Sequence, residues 1–154
     1  MGLEIERKFL AQNVSFLSSI YGEEMIQGFL FTKKEKSMRV RITGRKATLT
    51  VKGETVGLVR QEFEYPIPIE DARELITMCE RPLVEKCRYE IPWGSLVWEV
   101  DVFHGENEGL IVAEIELPDV DCILDLPEWI GEEVTNDPRY LNCNLIQHPY
   151  SEWK

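Results

Sequence analysis

Acidic side chains outnumber basic ones 28 to 17 in this 154-residue chain, for a formal net charge of -11. That balance argues against a basic surface made for nucleic acid or anionic membrane. The length suits one domain, residues 1–154, with room for about eight strands and a few helices.

The first residues run directly into a charged strand where a signal peptide would be apolar. No apolar run approaches membrane-spanning length, and Glu6 stands where a myristoylation signal after Gly2 requires Ser or Thr. The chain therefore reads as cytoplasmic. Cys79, Cys87, Cys122 and Cys143 show no paired spacing and are remote in sequence from His104 and His148. They read as reduced small hydrophobes, with no zinc site and no disulfide.

Leu3 to about Gln12 alternates as a strand, with Glu4, Glu6 and Lys8 on one face and Leu3, Ile5 and Phe9 on the other. Asn13 is a plausible cap for a short apolar helix from Val14 to Ile20. Gly22 turns the chain into a strand from Met25 to Thr32, and Lys33-Lys34-Glu35-Lys36 reads as a solvated hairpin loop. Strands follow at Ser37 to Thr43 and Lys46 to Lys52, joined by a tight turn at Gly44-Arg45. The loop Gly53 to Gly57 leads to a strand from Leu58 to Ile67, where Arg60 shares a face with Glu62 and suits the basic lining or the strand's surface end equally.

Pro66 and Pro68 end that strand. Glu70 to Cys79 has helical spacing, with Ala72, Leu75, Ile76 and Cys79 as its apolar stripe. Leu83 to Ile91 and Ser95 to His104 form a hairpin through Pro92-Trp93-Gly94, with Trp98 and Val100 facing outward as packing residues. After the loop Gly105 to Gly109 comes a strand from Leu110 to Leu117, stopped by Pro118. Val120 to Leu126 reads as a short turn or helix. Asp137-Pro138 suits the start of a helix to about Gln147 that closes one end of the domain or lies on its wall. Arg139 and Tyr140 then either contact a ligand or serve structure.

Same-sign pairs one residue apart recur along these strands: Arg39 with Arg41, Glu62 with Glu64, Lys86 with Arg88, Glu99 with Asp101, Glu114 with Glu116. Single alternating strands suit a half-buried sheet with one side in water. Repeated like-charge pairs do not, because neighbours of one sign repel for no return. Acidic and basic strands relieve one another if the sheet closes, so the pattern predicts a mainly β, α+β fold: an eight-stranded antiparallel closed barrel with a charged polar interior and a few helices packed outside. Clustered guanidinium and ammonium groups suit a ligand with several close negative charges. Clustered carboxylates suit hard divalent cations that bridge protein to phosphate. The two together describe a metal-dependent polyphosphate site.

Glu4-Ile5-Glu6-Arg7-Lys8 is an ExExK motif, and the later pairs follow in the order RxR, Lys52, ExE, KxR, ExD and ExE. In these motifs the chain resembles the CYTH superfamily, the triphosphate tunnel metalloenzymes, over essentially its whole length. Pro127 to Thr135, followed by Asp137, Arg139, Tyr140 and Asn142, is similar to the C-terminal signature of short bacterial members.

The resemblance implies a metal-dependent hydrolase of inorganic tripolyphosphate or a related organic triphosphate, acting by in-line water attack inside the tunnel. Lys8, Arg39, Arg41, Lys52, Lys86 and Arg88 are the substrate-binding candidates. Glu4, Glu6, Glu114 and Glu116 are the metal candidates, and Glu4, Glu6 and Lys86 the catalytic ones. Glu62, Glu64, Glu99 and Asp101 form a supporting acidic lining. The implied cofactor is Mg²⁺ or Mn²⁺, two ions during turnover, and the implied partner is a small-molecule triphosphate, with a monomer or homodimer and neither nucleic acid nor membrane. A class IV adenylate cyclase and a non-catalytic polyphosphate sensor are the alternatives. The first lacks a base-reading element here, and the retained acidic pairs oppose the second. The resemblance also implies a tyrosine, bonded to the lysine matching Lys86, where this chain has Phe29. That departure bears on substrate range and turnover and leaves the metal and phosphate ligands untouched.

Overall fold

The computed structural model describes residues 3–33 and 36–153. Lys34 and Glu35, in the predicted solvated loop, and Gly2 lie outside the described residues. The strands are β1 (Leu3–Ala11), β2 (Gly22–Lys33), β3 (Lys36–Thr43), β4 (Lys46–Val56), β5 (Val59–Ile67), β6 (Val84–Trp93), β7 (Leu96–Phe103), β8 (Ile111–Glu116) and β9 (Ile130–Glu133), with helices α1 (Ile69–Thr77) and α2 (Asn142–Leu145).

Eight strands form a closed antiparallel ring in the order β5-β4-β3-β2-β6-β7-β8-β1, sealed where Leu3 to Ile5 of β1 pair with Val59 to Gln61 of β5. The predicted barrel is therefore the observed one. Past Ile5, β5 leaves the edge of β1, and β9 takes its place, pairing Phe9 with Glu133 and Ala11 with Ile130. The strand β9 was not expected. It is four residues long, and its Gly131 lies so close to β1 that an added Cβ would come within 3.2 Å of the Leu10 carbonyl oxygen.

Strand alternation sorts the side chains between the two surfaces of the ring. Outward, Phe9, Trp98, Val100, Ala113 and Ile115 pack beneath the 3₁₀ turn Ser15–Ser19 and the segment carrying Trp129. On the opposite side α1 lays Ala72, Leu75 and Ile76 over Val40, Ala47 and Leu49, as its predicted stripe requires. Inward, each strand grades from apolar to charged: Val84, Lys86, Arg88 along β6; Phe103, Asp101, Glu99 along β7; Val112, Glu114, Glu116 along β8. The charged interior thus stands on an apolar floor, made of Phe29, Val84, Phe103 and Val112 with Tyr140, Leu145 and Ile146 from the C-terminal segment.

Local structure departs from expectation at Asn13, in the expected loop Gly53 to Gly57, through which β4 runs on to Val56, and after Asp137. Asn13 does not cap a helix. It takes a left-handed φ of 54°, which asparagine tolerates, and only the 3₁₀ turn comes after it. Over Val120 to Leu126 the turn, of the two forms expected, is the one observed, and the Asp119 carboxylate closes it on the Asp121 N–H at 2.9 Å. The helix predicted from Asp137 to Gln147 is broken. Asp137 does accept from the Arg139 N–H at 3.0 Å and starts a 3₁₀ turn, Pro138–Tyr140, but Leu141 is extended and α2 restarts after it. That kink turns Leu141, Asn142 and Cys143 toward the barrel interior.

Candidate active site in the barrel interior

The ionic rows do meet across a hollow centre, a cavity of about 230 Å³. Strand β1 supplies Glu4, Glu6 and Lys8 to its wall, β3 supplies Arg39 and Arg41, and β4 supplies Lys52. Glu62 and Glu64 come from β5, Lys86 and Arg88 from β6, Glu99 from β7, and Glu114 and Glu116 from β8. Asp101 is the exception among the predicted residues. It is 1% exposed and lies inside the ring between the cavity and the apolar floor, where its carboxylate accepts from Lys86 Nζ at 2.7 Å and from Arg88 Nε and Nη2 at 2.7 and 2.9 Å. It orients the two cations and does not face the cavity.

The remaining pairs are looser. Lys52 Nζ lies 3.0 Å from Glu4 and 3.4 Å from Glu62, Arg39 is 3.7 Å from Glu64, Arg88 is 3.3 Å from Glu99, and Lys8 is 4.0 Å from Glu114. Across the β1–β8 ladder Glu6 stands directly opposite Glu116 and Lys8 opposite Glu114, so the acidic residues of the two strands crowd one region. Burial, reinforced by Glu114 and Glu4 and only partly opposed by Lys52 and Lys8, pushes the Glu6 carboxyl up to about 8. Burial together with Glu4 and Glu62 raises Glu116 as well. Glu114 moves the other way, to about 2, because Lys8, Arg88 and Lys86 outweigh its burial.

A complementary strain marks the basic region. Burial and the neighbouring Arg39 and Arg88 push Arg41 down, burial and Arg88 do the same to Arg39, and burial brings Lys86 down to about 7 against the pull of Asp101. The interior therefore contains cations short of negative charge beside carboxylates, Glu6 and Glu116, short of positive charge. Among the described residues no three His, Cys, Asp or Glu side chains close on one point as a ready metal cage. The carboxylates of β1 and β8 nevertheless form an all-oxygen donor set in which Glu6 and Glu116 are short of positive charge, which fits a hard divalent ion.

Phe29 lies at the cavity floor within the apolar cluster. With no hydroxyl there, Lys86 Nζ donates to Asp101 and to Asn142 Oδ1, the latter at 2.9 Å. Arg60, weighed between lining and surface, faces the cavity and donates from Nε to the Gly53 carbonyl at 2.8 Å. Arg139 pairs with Asp137 away from the cavity, and Tyr140 contributes a carbonyl that accepts from Lys8 Nζ at 3.3 Å, so neither side chain contacts the space. Sequence reading assigned no site role to Gln27, Asn142 or Thr50. Thr50 links Arg39 to Glu64 through bonds of 3.2 and 3.0 Å. A signal existed for Gln27, the one amide in the apolar run Met25 to Phe29. Asn142 was marked by the C-terminal signature, but its bond to Lys86 was not foreseeable, because its position depends on the kink at Leu141.

A closed antiparallel barrel whose interior holds paired rows of carboxylates and cations defines the structural class. The CYTH domain model matches residues 2–150. An inorganic triphosphatase of Acetivibrio thermocellus is 49% identical over 155 residues, covering 100% of this chain and 99% of that protein. An inorganic triphosphatase of Nitrosomonas europaea is 38% identical over 147 residues, covering 92% and 95%. The crystal structure of an inorganic triphosphatase superposes with a TM-score of 0.67 at 33% identity and covers 93% of each chain. A putative adenylyl cyclase from Hippeastrum, described as having a dominant triphosphatase activity, is alike in fold, with a TM-score of 0.58 at 15% identity over 77% of this chain and 80% of that one. The chain belongs to the CYTH domain family.

Proposed function

We propose that this protein is a divalent-metal-dependent triphosphatase that hydrolyses inorganic tripolyphosphate, or a related organic triphosphate, inside the barrel. The observation that carries this reading is the arrangement of the cavity wall: Arg39, Arg41, Lys86 and Arg88 face one enclosed space with Glu4, Glu6, Glu114 and Glu116, and burial and the crowding of like charges there lower Arg39, Arg41 and Lys86 and raise Glu6. A metal–triphosphate complex supplies both missing charges at once. The two inorganic triphosphatases of high identity and near-complete coverage support the same substrate class.

In this mechanism Lys8, Arg39, Arg41, Lys52, Lys86 and Arg88 bind the triphosphate. Guanidinium groups take phosphate oxygens in pairs, and fixed cations neutralise charge that moves onto the leaving oxygens as the terminal P–O bond breaks. Asp101 holds Lys86 and Arg88 in place for that task. Glu4, Glu6, Glu114 and Glu116 would hold Mg²⁺ or Mn²⁺, which supplies Lewis-acid polarisation of phosphoryl oxygens and activation of a water. Water attack on a terminal phosphorus of tripolyphosphate yields one phosphate and one pyrophosphate.

The test is incubation of the purified protein with tripolyphosphate, ATP or thiamine triphosphate, each with Mg²⁺ or Mn²⁺ and with chelator, measuring phosphate and cyclic AMP. Metal-dependent phosphate release from at least one triphosphate without cyclic AMP is expected. Cyclic AMP with pyrophosphate from ATP, or binding with no product from any substrate, contradicts the proposal.

A further inference from the structure

Two side-chain amides join the basic walls of the cavity, Asn142 in its lining and Gln27 beneath it. Arg41 Nε donates to Gln27 Oε1 at 2.9 Å, Gln27 Nε2 donates to Asn142 Oδ1 at 2.6 Å, and Lys86 Nζ donates to the same Asn142 oxygen at 2.9 Å. The direction of every bond is dictated by chemistry. Arginine and lysine carry only donors, so each amide must turn its oxygen to its cation, which leaves the Gln27 NH₂ to close the chain. Gln27 is 0% exposed and stands opposite Arg41 across β2–β3 and opposite apolar Val84 across β2–β6. Its position is one where the apolar floor would accept Met or Leu, and a buried carboxamide is costly unless fully bonded.

The neighbouring arginine shows what Gln27 adds. Arg39 Nε is buried with no hydrogen-bond partner, whereas Arg41 Nε is anchored. Anchoring at Nε fixes the plane of the guanidinium. Among the described residues the terminal nitrogens of Arg41 donate to no protein acceptor, so they remain available as a fork for phosphate oxygens.

We infer that Gln27 is a positioning residue, which fixes Arg41 directly and Lys86 through Asn142, and so ties the C-terminal segment to the two cations on either side of β2. This inference rests on the triphosphatase reading, because it supposes that Arg41 and Lys86 bind the substrate. Gln27 itself touches no substrate, since it does not line the cavity.

A double-mutant cycle tests it, with kcat/KM for tripolyphosphate and Mg²⁺ measured in wild type, Gln27→Met, Arg41→Lys and the double variant, and thermal unfolding followed in all four. Lysine keeps the charge of Arg41 but has no Nε, so the anchor is already lost in that background. Gln27→Met should cost about tenfold or more in the wild-type background and less than about threefold beside Arg41→Lys. If Gln27→Met does not fold, Gln27→Asn, one methylene too short to reach Arg41, enters the same cycle. Equal losses in the two backgrounds would mark an independent packing role, and no loss in wild type would mark none; either overturns the inference while the hydrolase reading stands. A wild-type protein that releases no phosphate overturns the hydrolase reading and this inference with it.

Discussion

Glu6 shares its buried region with Glu4 and Glu114, and Lys8 and Lys52 compensate only in part, so its carboxyl stays protonated up to about pH 8 in the metal-free protein. The native state then binds this proton more tightly than the unfolded chain does. Stability contributed by Glu6 is fully present below about pH 4.5 and is lost as the pH rises through 8. Glu6→Gln stays neutral throughout. In chelator, its unfolding midpoint should match wild type near pH 4 and exceed it at pH 9 by on the order of 5 °C, while metal-dependent turnover disappears. Equal midpoints at both pH values would show that Glu6 is not short of a cation. The paired rows themselves were legible because strand periodicity sends alternate side chains to one face. Depth along the barrel axis was not: Glu99 and Asp101 share a face, but Asp101 lies one step nearer the apolar floor and is consumed by Lys86 and Arg88.

The C-terminal segment joins the floor of the barrel to the wall of the cavity. Its 3₁₀ turn and α2 are too short to persist alone, and they are held by Tyr140, Leu145 and Ile146 packing against Phe29, Phe103 and Val112. Leu145 is 0% exposed, so Leu145→Ala should destabilise the protein by about 2–5 kcal/mol in denaturant unfolding. Activity should fall further than the folded fraction does, because Asn142 and the Tyr140 carbonyl bond to Lys86 and Lys8. Unchanged specific activity of the folded fraction would separate the segment from the site. The capping pair Asp137-Pro138 was readable, and so was the apolar character of Leu141, Leu145 and Ile146 beyond it. The break at Leu141 was not, since a helix-compatible stretch yields there to packing on the floor. Similarly, β9 exists only because β5 leaves the edge of β1, a consequence of closure that no local pattern encodes.

At the scale of the molecule, closure of the sheet gathers many of the cations of a chain of net charge -11 into one cavity, beside carboxylates that match them in number. Same-sign pairs made the closure legible from sequence, since only facing walls of opposite sign relieve them. The apolar floor was hidden in the same strands, where Val84, Phe103 and Val112 continue the inward rows without charge. Among the described residues no helix is long and apolar enough to cross a membrane. If the interior cations hold a triphosphate, calorimetric titration of tripolyphosphate with Mg²⁺ into wild type, Arg39→Ala and Arg41→Ala will register it. Saturable binding to wild type, weakened about tenfold or more in each variant, is the predicted result. Wild-type binding that neither substitution weakens would contradict it.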